Sequence, residues 1–438
     1  MSLRHTRLQR TLAVLKRESP TTAPATESTT LTTMLGALGT ALLAASQATN
    51  EVDTTLRSLA GIYGRPDLQI VSLPTLVLID DPATGAPRTA VFPAEGAPLR
   101  LDQAGAIEHL IHRSAREQLD PKIVVDEVAK ITAEPPRYGF VLSLLGHTLL
   151  TIGFGLVMNP TVTALPVYAV LGVLIGLIVM LGSKVRTLAL VLPVIAAFLA
   201  TALVGVATDL FVHGNALLLV APALASLLPG LMLTIAAVEL TNGQIIAGAS
   251  RLVYGFARLG LLAFGVYVGL SMTGASLDTA SGHDRLGAWA PWVGILLVGL
   301  GYYLYSVAPK RSLIWIIFAL ALAYAAQLLG HALLGTELSG LVGAVVAVPV
   351  IYLVSHLSIA PPPAVMLTCA YWMLVPGALG FIGLSEAASG AAGASNTILQ
   401  TIGSIFAIAI GMVLGTGISR DTSAFARAWN RHVPAPEV

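Results

Sequence analysis

From Tyr138 to Gly417 the chain is a succession of apolar runs of roughly 18–24 residues, separated by short polar breaks. A helix rises 1.5 Å per residue, so about 20 apolar residues match the hydrocarbon thickness of a bilayer. The spacing predicts ten spans, near residues 139–158, 163–182, 186–207, 215–236, 248–272, 288–308, 312–330, 338–357, 362–383 and 395–418. Charge is placed to match. The chain has 24 Lys and Arg and 23 Asp and Glu; 29 of these lie in residues 1–138 and only 13 in residues 139–418. Charged residues are 11% of the whole, against about 25% in an ordinary soluble domain. A soluble enzyme, a disordered chain and a collagen-like fibre are excluded. What remains is a polytopic membrane protein with a soluble N-terminal part. The net charge of +1 gives no reason to expect a nucleic-acid partner. Cys369 is the single cysteine, so no intrachain disulfide forms.

Residues 1–33 read as a basic tail and linker. Arg4, Arg7, Arg10, Lys16 and Arg17 alternate with leucines, a pattern that suits either an anionic lipid surface or a solvated tail. No apolar signal-peptide core is present. Residues 34–138 read as a small α+β domain. Ile70-Val71, Thr75 to Ile79 and Thr89 to Phe92 are β-prone. The turn residues Asp80-Asp81-Pro82 and Thr84-Gly85 predict a hairpin between the last two. Asp80 and Asp81 are turn chemistry rather than a metal site. Two polar helices follow, over 104–118 and 121–133, and Glu108, His109 and His112 are expected on a solvated face.

The membrane part carries an internal repeat. Leu228-Pro229-Gly230 in the fourth span matches Val375-Pro376-Gly377 in the ninth. Ten residues after each proline stands a carboxylate, Glu239 and Glu386. Four residues later stands a glycine, Gly243 and Gly390. The register predicts two five-helix units, 139–272 and 288–418, followed by a tail over 419–438. Five is odd, so the second unit enters the membrane from the opposite side, as in inverted-repeat secondary transporters. The fold class expected is therefore an all-α polytopic membrane protein with ten transmembrane helices in two inverted repeats and an N-terminal α+β domain. Lys184, Arg186, Arg251, Lys310, Arg311, Arg420, Arg427 and Arg431 fall on one side, and Arg285 alone among basic residues falls on the other. This bias places the soluble domain and both termini in the cytoplasm.

Proline and glycine inside a span free backbone amides and carbonyls, which the bilayer tolerates only where protein, water or ligand satisfies them. Pro229, Gly230, Pro376 and Gly377 are thus candidate substrate-binding positions. Arg251 is a candidate for a substrate carboxylate, Asn242 and Asn396 for hydrogen bonding, and Glu239 and Glu386 for the ammonium or a proton. A solvated loop is the other reading of the two acids. Arg258 shares a helix face with Arg251. His147, in the first span, reads as bonded to a neighbouring helix or as a proton relay. Trp315 and Trp372 read as packing or interface residues. There is no Gly-x-x-x-x-Gly-Lys-Ser/Thr loop, no catalytic triad and no His-Glu-x-x-His. No enzyme, metal or cofactor is expected, and oligomeric state is not legible.

Four stretches bear a likeness to a known family: Ala45-Ser46-Gln47-Ala48-Thr49-Asn50-Glu51-Val52-Asp53 with Ala60-Gly61-Ile62-Tyr63-Gly64; Pro136-Arg137-Tyr138-Gly139-Phe140; Leu228-Pro229-Gly230 through Glu239, Gly243 and Ser250-Arg251; and Pro362-Pro363 through Val375-Pro376-Gly377. In their order and spacing the chain resembles the threonine/serine exporter (ThrE) family of bacterial inner-membrane carriers, over about Leu35 to Gly417. The resemblance implies export of threonine and serine driven by the proton motive force. Split relatives of that family are associated with dicarboxylate export, so a C4-dicarboxylate exporter is the alternative; a membrane-anchored sensor is a third. The family usually has glycine where Ser46 stands and more often aspartate where Glu239 stands.

Overall fold

The computed structural model describes residues 28–82, 88–94, 96–182, 186–207, 216–274, 285–335, 338–357, 359–374, 377–390 and 394–432. The tail over 1–27, the Thr84-Gly85 turn, Lys184, Pro376 and the Ala391 to Gly393 run lie outside the described residues.

The soluble part is α1 (Ser28–Ala44), α2 (Thr49–Ile62), β1 (Gln69–Leu73), β2 (Leu76–Asp81), β3 (Arg88–Pro93), α3 (Leu101–Glu117) and α4 (Pro121–Ala133). The strands form an antiparallel sheet in the order β1-β2-β3, with Ile70 opposite Ile79 and Val77 opposite Phe92. Strand alternation sends Val77 and Ile79 inward, against Met34, Leu35, Leu38 and Leu42 of α1. Asp81 is also inward, and Arg65 bonds both of its oxygens. The predicted hairpin is present, and β1 extends it to three strands.

The membrane part is α5 (Phe140–Met158), α6 (Leu165–Gly182), α7 (Arg186–Ala207), α8 (Ala216–Leu224), α9 (Gly230–Thr241), α10 (Ile245–Thr273), α11 (Ala290–Tyr305), α12 (Leu313–Leu334), α13 (Ser339–Ser355), α14 (Pro363–Leu374), α15 (Gly377–Ala388) and α16 (Ala394–His432). Among the described residues five helices are long and apolar enough to cross a membrane: α5, α6, α10, α12 and a stretch of α16. A sixth is broken. A 3-10 turn over Ala225–Leu227 continues α8, Leu228 is extended, and α9 restarts at Gly230 with a bend of 66°. Proline at 229 has no amide to continue the ladder. In the second half, α14 ends at Leu374 and α15 begins at Gly377, on either side of the matching proline.

Two details differ from the spacing argument. The fourth segment does not end at 236; α9 runs to Thr241, so Glu239 is a helical residue and fully buried. The last helix continues past 418 to His432.

Helices α5 and α11 cross at glycines. A Cβ on Gly153 would lie 2.7 Å from the Gly294 carbonyl, and one on Gly301 would lie 2.7 Å from the Gly146 carbonyl. Without a hydrophobic drive between helices in lipid, such backbone approach is a main source of attraction.

Candidate functional site

The broken helix opens onto a cavity of about 810 Å³. One wall is the break itself, Ser226, Leu228, Pro229 and Gly230. The opposite wall is aromatic: Trp372 of α14 lies 5.2 Å from Tyr302 and 6.0 Å from Phe154, ring centre to ring centre. Arg251 and Arg258 of α10 reach it from a third side. Residues Ala45, Ser46 and Pro98 to Leu101 of the soluble part close it. Among the described residues no acidic side chain lines the cavity.

The closure is built from helix ends. The amides of Leu101 and Asp102, at the start of α3, donate to the carbonyls of Ser306 and Val307, just past the end of α11 (both 3.1 Å). Each set would otherwise be unpaired. Nearby, Ser46 holds φ at +62° to turn the chain between α1 and α2. The left-handed region favours glycine.

Glu239 does not face solvent. The amide of Thr49, the first residue of α2, donates to its Oε1 at 2.9 Å. Arg251 Nε lies 3.2 Å from its Oε2, an ion pair rather than an aligned hydrogen bond. Arg251 also donates to the Gln47 carbonyl at 3.4 Å. A carboxylate beneath a helix N-terminus is favourably placed, so this pair anchors α2 to the broken helix. Arg258 has no ion-pair partner among the described residues. The charge of Arg251 is balanced; that of Arg258 is not.

His147 of α5 is fully buried. Its Nδ1 lies 2.9 Å from the Gly172 carbonyl, which only accepts, so Nδ1 carries the proton. Nε2 then accepts from Ser226 Oγ at 2.9 Å, and Tyr305 bonds to the same serine. The chain of bonds fixes the 3-10 turn at the cavity wall.

Of the positions expected from sequence, Pro229, Gly230 and Arg251 meet at the cavity. Asn242 caps α9 and is exposed, with its side chain on the Val238 carbonyl; Asn396 is exposed on α16; neither lines the cavity. Gly377 opens α15, and Glu386 is half-buried on that helix. Gly243 and Gly390 end α9 and α15 at φ of +78° and +72°. That conformation releases the carbonyls of Leu240 and Ala387 to accept from the glycine amides.

The expectation of a solvated face for Glu108 fails. His109 and His112 are exposed, but the Glu108 carboxylate is buried where α3 meets α14, and it accepts from the Ala364 amide. Burial pushes its carboxyl up to about 7; the Ala364 bond opposes the rise and the charge of Glu51 adds to it. The sequence carries a signal for this. Ala104 and Gly105 precede Glu108 by one helical turn, and a small-residue patch marks a second packed face. A Cβ on Gly105 would lie 3.4 Å from Pro309 and from Val365.

A family model described as "Putative threonine/serine exporter" (ThrE) matches residues 33–273, more than half of the chain. The chain belongs to the ThrE family. No curated protein and no solved structure matches it. The ThrE match starts in α1 and stops at the last residue of α10, so it takes in the soluble part, the broken helix, Glu239, Arg251 and Arg258. A transporter family and several membrane-capable helices make this a multi-pass membrane protein whose substrate is a small molecule.

Proposed function

We propose that the chain exports small hydroxy amino acids, threonine and serine, across the inner membrane by proton antiport. The soluble domain and both termini are cytoplasmic in this reading. The carrying observation is the cavity at the broken helix with one unbalanced cation, Arg258. The Gly230 and Leu231 amides open α9 at this wall and, as at any helix start, lack helical partners. Those amides and Arg258 suit a single carboxylate. A dianion would need a second free cation, and Arg251 is held by Glu239; the dicarboxylate reading is weaker for that reason.

Ten spans in two inverted units complete the reading. Reciprocal packing supports it. Helix α5 packs on α11, the first helix of each unit on the other. Helix α7 packs on α10 as α13 packs on α16, and α9 packs on α16 as α15 packs on α10. The left-handed glycines at the ends of α9 and α15 fall at equivalent places.

A carboxylate that binds either an ammonium or a proton, and not both, couples the two flows in opposite directions. The reading gives that role to Glu239 and Glu386, with backbone at Pro229-Gly230 and Pro376-Gly377 and with Arg251 along the path. The test is counterflow of labelled threonine in proteoliposomes with serine, alanine and succinate as trans substrates. Exchange with serine is expected. Exchange with succinate alone, or unchanged proton-driven export in both Glu239→Gln and Glu386→Gln, overturns it.

A further inference from the structure

The mechanism above leaves the buried carboxylate of Glu108 unused. Glu108 lies at the seam between the soluble part and the membrane part, with its Oε2 buried and without a hydrogen-bond partner. Its other contact is the Ala364 amide in the first turn of α14. Helix α14 is a half-helix, begun by Pro361-Pro362-Pro363, and its residues Ala364, Thr368, Trp372 and Met373 line the cavity. The seam therefore meets the cavity wall at Ala364.

The charged and titratable groups facing Glu108 are few. From α2 comes Glu51, whose charge acts on Glu108 and on Tyr371 of α14; Tyr352 of α13 acts on that tyrosine too. Helix α1 carries no charged residue. Arg113 of α3 is held by Glu127 of α4. Glu51 is the one charge that acts on Glu108 among the described residues.

We propose that Glu108 is a proton-binding residue, biased by Glu51, through which protonation controls how the soluble domain holds α14. Protonated at Oε2, the carboxyl sits at the seam with no buried charge and no repulsion from Glu51, which favours the docked wall. Releasing that proton to water leaves a charge out of water beside Glu51, which the Ala364 amide and the positive end of the half-helix offset only in part, and so weakens the hold on α14. No other reactant is needed. Burial contributes most to the proton affinity of Glu108, and the like charge of Glu51 adds to it. The proton site stands on this geometry alone; its effect on flux rests on the export reading.

The experiment is infrared difference spectroscopy of the full-length protein in lipid vesicles, titrated between about pH 5 and 9, followed by threonine counterflow in the same vesicles. A protonated-carboxyl band titrating near neutral pH is expected, absent in Glu108→Gln. In Glu51→Gln, which removes the like charge, its midpoint moves down by about one pH unit. This second variant decides the matter if Glu108→Gln does not fold. Counterflow by Glu108→Gln is expected to lose the wild-type pH dependence. A band that survives Glu108→Gln, or a midpoint unmoved by Glu51→Gln, overturns the proposal even if threonine exchange persists. A band that behaves as expected with no threonine exchange supports the proton site and counts against the export reading.

Discussion

Arg251 Nε and Glu239 Oε2 lie 3.2 Å apart, and the same two side chains hold the turn that leads into α2. Glu239 is fully buried and belongs to the broken helix; the turn belongs to the soluble part. The pair thus ties the closing residues of the cavity to the broken helix. Removing one partner leaves an uncompensated buried charge, at roughly 3–5 kcal/mol. Glu239→Ala and Arg251→Ala are each expected to lower thermal stability in detergent strongly, and the double variant by less than their sum. Additive losses would show that the two do not act as a unit.

Among the described residues Arg258 lines the cavity without a counter-ion. A charge-assisted contact to a carboxylate is worth about 1.5–3 kcal/mol, or roughly 10-fold or more in affinity. Arg258→Gln is expected to raise the half-saturation concentration for threonine by at least that factor. Arg258→Lys keeps the charge but not the paired donors and falls between. Equal kinetics in all three proteins would remove Arg258 from the site.

Ser46 holds a φ of +62° that glycine adopts without strain. Ser46→Gly is expected to raise stability by up to about 1 kcal/mol. The readout is the melting temperature of the purified protein. A fall in stability would mean that the hydroxyl makes a contact worth more than the strain.

The α5–α11 crossing has no room for side chains at Gly153, where a Cβ would meet the Val298 amide at 2.6 Å. Gly153→Leu is expected to abolish the folded, monodisperse fraction in size-exclusion chromatography. Gly260→Ala is the control. Nothing lies within 4 Å of that Cβ, and helix propensity favours the change by about 0.5–1 kcal/mol.

Glu108 also makes stability depend on pH. Its carboxyl is raised in the folded state from 4.5 to about 7. The folded protein therefore binds more protons than the unfolded chain between these values, and stability falls as pH rises through that window. Above about pH 7 the whole penalty is present, on the order of 3 kcal/mol. Melting curves of Glu108→Gln should exceed wild type at pH 8 and converge with it near pH 5. A constant difference at all pH values contradicts the assignment.

Much of the architecture is legible before folding because its causes are local. The lengths of the apolar runs, the prolines at 229 and 363, and the strand alternation around Val77 and Ile79 each act within one element. Gly243 and Gly390 also act locally, since a helix that ends in the left-handed region needs a residue without a Cβ. Asn242 and Asn396 were chosen for chemistry and proximity in sequence, and the helix faces carry both away from the cavity. Glu108 looked solvated because its neighbours His109 and His112 are; adjacent residues on a helix point 100° apart.

The sequence by itself determined that this chain enters a membrane, that a small α+β part precedes the spans, and where the helices break. Those properties follow from hydropathy, period and backbone preference, all short-range. Only the tertiary structure decided which charges are balanced. Thr49 reaches Glu239 across 190 positions and Gln47 reaches Arg251 across 204. Such pairs form because the soluble part docks on the broken helix, and burial out of water then makes each unpaired oxygen or guanidinium count. The charge left over on Arg258 and the proton affinity of Glu108 are consequences of that docking.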